Sequence, residues 1–254
     1  MEAGRMQRCI DYIKFNHESE GFELSSDDEA DILAILNEDK SADELIQNFL
    51  KKNNLDNIEY KASSDDYFFY PGTRCLGNYF SIKNRDLLRF IVIYISSMRT
   101  AEFLLHPIDG PYTLEHLQQI HEHLFGDIYP SAGMIRTKAS AKRTEFCMPA
   151  YIEAAAKEIF DKLAKDHFLR KLDREQFIGD LAYYMGELEA LHPFKTGNAP
   201  SSRLFFIVLV EKAKYYVEWA EADPDGFLEA DICAIDGDYQ PLIDVLEEVI
   251  YPKE

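Results

Sequence analysis

The sequence predicts a mainly α-helical protein with one short β-hairpin, and three observations support the helical part. Apolar residues recur at helical spacing over residues 177–191. Residues that cap helices precede two segments near the N-terminus. Pro200 stands where the first turn of another helix would begin, a position that proline favours. At 254 residues the chain can bury about three quarters of its unfolded surface, so one main domain with a small helical extension fits.

The N-terminal part, residues 1–52, is expected to hold three helices. A first helix over residues 5–19 should end at Gly21, since glycine readily adopts the left-handed backbone that terminates a helix. Two shorter helices follow, each opened by a capping box: Ser26 with Glu29, and Ser41 with Glu44. The polar stretch 53–66 is then the connector to a main domain over residues 67–254.

The most informative stretch lies between two predicted helices of the main domain, one over residues 177–191 and one that starts near Pro200. His192 is followed by a proline, which disfavours a helical backbone and ends the first helix. Gly197 and Asn198 are residue types that tolerate tight or left-handed turns. A short loop therefore leads from a histidine to the N-terminus of a new helix.

This loop has the parts needed for phosphate chemistry. Backbone N–H groups and the helix dipole make a helix N-terminus an anion site, and Arg203 lies one turn inside that helix. The imidazole of His192 can take a proton from a hydroxyl that attacks the phosphate. The structural alternative is that His192 only closes a helix and hydrogen-bonds a carbonyl group.

The run over residues 191–203, Leu-His-Pro-Phe-Lys-Thr-Gly-Asn-Ala-Pro-Ser-Ser-Arg, resembles the signature H-P-F-x-D/E-G-N-G-R-x-x-R of the Fic (filamentation induced by cAMP) family. The resemblance implies a helical bundle with a β-hairpin flap, and transfer of AMP from ATP to a Ser, Thr or Tyr hydroxyl of a target protein. It makes His192 the general base and Arg203 the clamp on the γ-phosphate. Gly197 and Asn198 would cradle the phosphates.

Three residues depart from this signature. Thr196 stands where the family has the carboxylate that holds Mg²⁺, so it is a weak metal position, because hard cations prefer charged oxygen ligands. Ala199 replaces the second glycine, and Pro200 replaces the first arginine. Glu187 or Glu189 can replace part of the lost charge, or can have a solvated or capping role. Two further alternatives stay open: a catalytically impaired Fic-fold regulator that binds nucleotide or a protein partner, and an enzyme with another donor.

The likeness covers roughly residues 67–242 and includes a segment that implies a target-binding flap. That flap would be a β-hairpin over residues 137–149, formed around four residues: Lys142, Arg143 and Thr144 at the tip, and Phe146 leading out. An exposed strand edge can hold an extended target peptide through backbone hydrogen bonds, whatever the side chains of the peptide. The alternative is a plain surface hairpin.

The end of the first helix resembles an inhibitory motif. Residues 16–21, Asn-His-Glu-Ser-Glu-Gly, are similar to the S/T-x-x-x-E-G/N motif of Fic antitoxins, which makes residues 1–52 an antitoxin-like segment that is the partner of the catalytic domain. Glu20 is carried over as the inhibitory glutamate. The resemblance implies that its carboxylate pairs with Arg203 and withdraws the guanidinium from the γ-phosphate. The alternative is that Glu20 is an ordinary residue of a helix end.

The overall charge limits the possible partners. Forty-six acidic against 27 basic residues give a formal net charge of -19, which opposes binding to nucleic acid or to an anionic membrane. ATP then needs a local basic pocket, expected from Arg203, Lys195 and Arg136. The four cysteines lack the spacing of a metal site, and His121 and His123 cannot share one helix face. Without an apolar stretch of about twenty residues or a signal peptide, a soluble cytoplasmic protein is expected.

Overall fold

The protein is mainly helical, as predicted, in a computed structural model that describes residues 2–58 and 69–253. The part of the predicted connector that covers residues 59–66 lies outside these described residues. Within them, no helix combines the length and the apolar character that crossing a membrane requires.

Three helices form the N-terminal part: α1 (Ala3–Ser19), α2 (Ser26–Leu36) and α3 (Ala42–Lys52). The cap of α3 is confirmed, since the Ser41 hydroxyl accepts the backbone N–H of Glu44 at 3.1 Å. The predicted cap of α2 is off by one residue. Ser25 has the extended backbone of a cap and accepts the N–H of Asp28 at 3.1 Å, so Ser26 is already helical.

The end of α1 at Gly21 is also confirmed. Gly21 has a φ of +71°, and its N–H donates to the carbonyl of Glu18 at 2.8 Å. The N–H of Phe22 donates to the carbonyl of His17 at 2.9 Å. This pair of bonds is the left-handed termination that glycine favours, and it places Glu20 at the last position of the helix.

Helix α1 packs into the same hydrophobic core as the rest of the chain. The ring of Phe15 lies 4.8 Å from that of Trp219 and 5.5 Å from that of Phe227. The Tyr12 ring lies 5.0 Å from Trp219, and its hydroxyl donates to the Pro200 carbonyl at 3.5 Å. The N-terminal helix is therefore continuous with the main core.

Seven α-helices build the main part within the described residues: α4 (Arg85–Leu105), α5 (Leu114–Phe125), α6 (Ile152–Lys165), α7 (Arg174–Leu191), α8 (Asn198–Lys212), α9 (Pro224–Ile235) and α10 (Gln240–Val249). Helix α8 is buried on most sides, and apolar residues on all faces are typical of a central helix. It packs against α5 and α7. The loop between α7 and α8 carries the stretch that the sequence marked as most informative.

Helix α8 begins two residues before the predicted start at Pro200. Gly197, with a φ of +70°, is the residue that caps it, and Asn198 is already helical. The N–H of Ser201 donates to the Gly197 carbonyl at 3.3 Å. The left-handed glycine thus turns the chain directly into the helix, and Pro200 lies within its first turn.

The strands differ from the prediction. The two strands, β1 (Tyr215–Val217) and β2 (Ile250–Pro252), pair antiparallel with Tyr216 opposite Tyr251. The expected hairpin at residues 137–149 is reduced to one bridge, between Ala141 and Glu145. Its tip is held by side chains instead: the Arg143 guanidinium bonds the Glu229 carboxylate, and the Thr144 hydroxyl donates to Asp236 at 2.8 Å. Because α9 and its C-terminal end anchor this loop, it needs no extended ladder of strand pairs.

Candidate functional site

A cavity of about 470 Å³ brings together most of the predicted site residues. The following predicted residues line it: His192, Thr196, Gly197, Asn198, Arg203, Glu20 and Lys142. The loop from α7 to α8, the end of α1, and α4 supply most of the wall. The other predicted flap residues do not line the cavity.

The cavity is cationic although the chain as a whole is acidic. Six basic side chains of the described residues line it: Arg74, Arg85, Arg89, Lys142, Lys195 and Arg203. Among the described residues, Glu20 provides the single carboxylate of the cavity lining. A concave surface of one charge sign raises the local concentration of ligands of the opposite charge. The cavity is therefore suited to an anionic ligand.

The turn before α8 is held from within by Asn198. Its side-chain oxygen accepts the N–H of Phe194 at 2.8 Å, and its side-chain nitrogen donates to the carbonyl of Phe194 at 2.9 Å. The Asn198 side chain thus closes the loop, and only its backbone N–H can serve a ligand at the helix start. Pro200 has no N–H and removes one donor from this anion site.

His121 supports the same turn from α5, a role that the sequence did not reveal. The N–H of Gly133 donates to His121 Nδ1 at 2.9 Å, so Nε2 carries the proton and donates to the Thr196 carbonyl at 3.0 Å. The imidazole also packs on Phe194, with the ring centres 4.0 Å apart. Burial lowers the pKa of His121 to about 4, so it is neutral here.

His192 directly follows the last residue of α7 and has a left-handed backbone, with a φ of +43°. The sequence predicted a non-helical residue here, because proline follows, and the structure confirms that. The imidazole stacks on Phe146, with ring centres 3.7 Å apart and planes 6° from parallel. Its side chain is only 13% exposed. The ring is therefore fixed in orientation while it still lines the cavity.

Arg136 is not a phosphate ligand, contrary to the sequence prediction. Its side chain is buried, with Nε donating to the His192 carbonyl at 2.6 Å and Nη1 to the Lys138 carbonyl at 2.9 Å. Nη2 donates to the Cys147 carbonyl. All these contacts are to main-chain oxygens, since a buried guanidinium needs its donors satisfied. Arg136 joins the base of the flap to the backbone of the histidine.

Glu189 is buried beside the candidate base. Its Oε1 lies 2.7 Å from Lys142 Nζ and 3.7 Å from His192 Nδ1. Burial alone would raise the pKa of Glu189, but His192 and Lys142 outweigh it and lower that pKa below its usual value. Glu187, in contrast, accepts a hydrogen bond from the Tyr239 hydroxyl at 2.7 Å and does not line the cavity.

Arg203 is enclosed by groups from α1 and α9. Its guanidinium lies 5.1 Å from the centre of the Phe15 ring and 5.5 Å from that of Phe227. Nη1 donates to Asn16 Oδ1 at 3.1 Å, and Nη2 lies 3.7 Å from Asp231 Oδ2. Burial raises the pKa of Asp231 to about 7, against the opposing effect of Arg203. The sequence did not identify Asp231, because nothing in the pattern of α9 distinguishes it.

Glu20 lines the cavity but does not contact Arg203. Its Oε2 lies 3.6 Å from Nη2 of Arg89, on α4, and its side chain is 62% exposed. Asn16, one turn earlier on α1, makes the contact with Arg203 instead. The expected pair is absent because Glu20 follows the last helical residue, Ser19, where the chain turns at Gly21, whereas Asn16 lies within the helix, one turn closer to Arg203.

The metal position fits Mg²⁺ poorly. Thr196 offers a neutral hydroxyl, and its carbonyl is already bound by His121. Among the described residues there is no group of three or more His, Cys, Asp or Glu that could hold a metal ion. Mg²⁺ requires hard, charged oxygen ligands at short distance, so the residues present do not form a site that would hold this ion by themselves.

Comparisons with known proteins agree with this geometry. Residues 111–210 match the model of the Fic/DOC family. A relative from Sinorhizobium fredii, named probable protein adenylyltransferase y4lH, is 32% identical over 195 residues, which cover 76% of this chain and 100% of that protein. Protein adenylyltransferase VbhT of Bartonella schoenbuchensis is 34% identical over 175 residues, 68% of this chain. The chain spans only 36% of the length of that second relative.

Solved structures show the same fold. BepC, a VirB-translocated effector protein of Bartonella tribocorum solved with bound AMPPNP, matches with a TM-score of 0.70 at 23% identity, over 76% of this chain and 100% of that chain. The N-terminal Fic domain of a Bep effector from Bartonella quintana, solved with bound ADP, has a TM-score of 0.68 at 22% identity, over 76% of this chain and 98% of that chain. On the evidence of its sequence relatives and its fold, the chain belongs to the Fic/DOC family.

Proposed function

We propose that this protein is an adenylyltransferase that transfers AMP from ATP to a Ser, Thr or Tyr hydroxyl of a target protein. The observation that carries the proposal is the shared cavity: the imidazole of His192 lines the same cationic space as the opening turn of α8 at Gly197. The names of the relatives support the reaction class. The nucleotides bound in two neighbouring structures support the ligand class.

The reaction needs one proton acceptor and a seat for the phosphates. The target hydroxyl oxygen attacks the α-phosphorus of ATP, the new P–O bond forms, and pyrophosphate leaves. His192 takes the hydroxyl proton, and its fixed orientation reduces the cost of aligning it. The N–H groups at the start of α8 and the basic side chains of the cavity stabilise the negative charge. We assign the γ-phosphate to Arg203, once it is released from Asn16.

The end of α1 is proposed to inhibit this reaction at two cations. Asn16 holds Arg203, and Glu20 pairs with Arg89. A guanidinium that is already bonded has fewer donors left for a phosphate. The carboxylate of Glu20 also repels the negative charge of a triphosphate in the same cavity. Inhibition by Glu20 thus acts through Arg89 and the cavity charge, together with Asn16, rather than through a direct pair with Arg203.

The flap is proposed to hold the target segment. Phe146 packs on His192, so a chain bound along residues 140–146 lies next to the base. The single bridge within this loop leaves backbone groups available to pair with an extended peptide. Lys142, Arg143 and Thr144 are anchored to α7, to α9 and to the end of α9. The flap therefore presents a fixed edge.

One set of observations favours a second function, a regulator that binds nucleotide or a protein partner without transfer. Thr196 lacks the charge of a metal ligand, and Pro200 lacks an N–H. Arg203 is enclosed by Asp231 and two aromatic rings and is only 7% exposed. Each of these features lowers the affinity of the cavity for a triphosphate. A donor other than ATP is a third outcome that the same experiment can detect.

Intact-mass measurement separates these functions. The wild type, Glu20→Gly and His192→Ala are incubated with ATP, with Mg²⁺ in one arm and with EDTA in the other. The adenylyltransferase is supported if the mass of one AMP is added to more of the Glu20→Gly protein than of the wild type and to none of the His192→Ala protein. If no variant gains mass but calorimetry detects ATP binding, the regulator is supported. If no variant gains mass and calorimetry detects no ATP binding, the proposed adenylyltransferase activity is wrong. Other nucleotide donors and phosphocholine donors are then tested in the same assay.

A further inference from the structure

The imidazole of His192 has one nitrogen that the reaction above does not use. Its Nδ1 is buried and has no partner at hydrogen-bond length among the described residues. Oε1 of Glu189 lies 3.7 Å from this nitrogen. Glu189 lies in the last turn of α7, three residues before His192, which caps the end of that helix. The orientation of the ring thus brings Nδ1 towards a carboxylate.

The burial of the Glu189 carboxylate is unusual, because carboxylates are rarely buried without a compensating charge or hydrogen bonds. It is 6% exposed, and its compensating charge comes from Lys142 at 2.7 Å. Lys142 belongs to the tip of the flap and not to α7. The carboxylate therefore contacts two groups, the base and the flap, and a purely structural ion pair would not need to lie beside an imidazole.

We propose that Glu189 is a positioning residue whose carboxylate accepts a hydrogen bond from Nδ1–H of His192 and so leaves Nε2 unprotonated as the base, while Lys142 ties this pair to the flap. The inference rests on the proposed function and specifies how its base is prepared. A carboxylate beside Nδ1 favours the tautomer with the proton on that nitrogen. It also stabilises the imidazolium that forms when the base takes a proton.

The separation of 3.7 Å is longer than a hydrogen bond, and two features allow it to shorten. Hydrogen bonds of catalytic groups are often long in the free protein and tighten in the complex with substrate. The stack on Phe146 permits the ring to slide within its plane but opposes tilting. Because Lys142 stands at the flap tip and bonds Glu189, a target segment bound along the flap would hold the Glu189 carboxylate in place beside His192. Seating of the target is then coupled to preparation of the base.

Tautomer spectroscopy tests this directly. The protein is labelled with ¹⁵N-histidine, and long-range ¹H–¹⁵N spectra report which ring nitrogen of each histidine carries the proton. Loss of a resonance in His192→Ala assigns the signal. In the wild type we expect Nδ1 of His192 to be protonated and Nε2 to be unprotonated. A wild-type spectrum with the proton on Nε2 overturns the proposal without the need for any other variant.

Two matched substitutions on α7 complete the test. Glu189→Gln keeps the volume of the side chain but removes the charge, and it should shift the His192 tautomer towards Nε2–H. Glu187→Gln makes the same chemical change where the carboxylate bonds Tyr239, and it should leave the His192 signals unchanged. If both substitutions leave the tautomer as in the wild type, Glu189 does not position the base.

The consequence for rate is measured in the Glu20→Gly background. Adding Glu189→Gln should lower the rate of self-adenylylation by about 10- to 100-fold, which is a part of the roughly 10²–10⁴ that general-base catalysis contributes. Adding Glu187→Gln should change it by less than about twofold. An equal rate for both variants overturns the positioning role. If no variant transfers AMP, the proposed function fails, yet the spectra still decide whether Glu189 sets the tautomer.

Discussion

Gly197 is the residue where the largest effect of a single methyl group is expected. Its φ of +70° lies in the left-handed region, and a Cβ added there would meet the Phe125 ring, with Cε2 at 2.3 Å and Cζ at 2.7 Å. The backbone strain of a side chain in this region costs about 1 kcal/mol. Displacing a buried ring from a packed core adds about 2 kcal/mol. Gly197→Ala should therefore destabilise the protein by about 3 kcal/mol.

Gly237 supplies the matched control. Its φ is +85°, but no atom lies within 4 Å of an added Cβ. Gly237→Ala thus has the backbone strain without the collision and should cost about 1 kcal/mol. For a chain of this size, Gly197→Ala should lower Tm by about 6–12 °C and Gly237→Ala by about 2–4 °C. Scanning calorimetry gives both values, and equal Tm shifts would refute the reasoning.

A second substitution isolates the collision. Phe125→Leu replaces the flat ring edge that the new methyl group would meet. The double variant Gly197→Ala/Phe125→Leu should lose about 1 kcal/mol less unfolding free energy than the two single variants lose in sum. This is the size of coupling expected between contacting residues. Additive costs would show that the ring is not the obstacle. Gly197 and Phe125 line the cavity, and Gly237 does not. ATP affinity should therefore fall in Gly197→Ala and stay unchanged in Gly237→Ala.

Three further predictions concern the groups around the site. Burial lowers the pKa of His121 to about 4, below its ordinary value of 6.5, so its contribution to stability is complete above pH 6.5 and is lost as the pH falls towards 4, by about 1.4 kcal/mol per unit. In thermal scans from about pH 7.5 to 4.5, His121→Gln should show a shallower loss of stability than the wild type. Burial raises the pKa of Asp231 to about 7, so the test is made above that pH: in urea unfolding at about pH 8, Asp231→Asn leaves Arg203 buried without its carboxylate and should cost about 3 kcal/mol. Asp225→Asn, exposed on the same helix, should cost less than about 0.5 kcal/mol. In calorimetry, ATP affinity of the wild type should change less than about tenfold when EDTA replaces Mg²⁺, and Thr196→Glu should make binding depend on Mg²⁺.

A specific result would contradict each of these three predictions. Parallel pH curves for the wild type and His121→Gln would mean that this histidine does not titrate with folding. Equal costs for the two aspartate substitutions would show that Asp231 does not stabilise Arg203. ATP binding that already requires Mg²⁺ in the wild type would contradict the reading of Thr196.

The sequence predicted well what depends on local signals. The cap at Ser41 and the glycine end of α1 follow from short-range hydrogen bonds that a few neighbouring residues decide. The loop between α7 and α8 was predicted because proline and glycine restrict the backbone there. These features need no knowledge of distant contacts, which explains the agreement.

The contacts between distant elements could not be predicted in the same way. Arg136 was expected in the cavity, but it bonds main-chain carbonyls at the base of the flap. Glu20 was expected on Arg203, and Asp231 was not identified as the acid that contacts this arginine. The Arg136 contacts depend on how the flap base packs against the end of α7, and the other two cases depend on which side chains α4 and α9 bring to Glu20 and Arg203. The local pattern shows that a charge is present but not which partner it finds.

The shared core of α1 has a consequence for how this protein can be switched on. Cys9, Ile10, Tyr12, Ile13 and Phe15 are all at most 5% exposed. A truncation that removes the first twenty residues would uncover the rings of Trp219 and Phe227 and should yield insoluble material instead of a freed enzyme. If the end of α1 inhibits as proposed, relief requires a small rearrangement confined to the tip of this helix, in which Asn16 and Glu20 release their arginines while the buried rings stay in place.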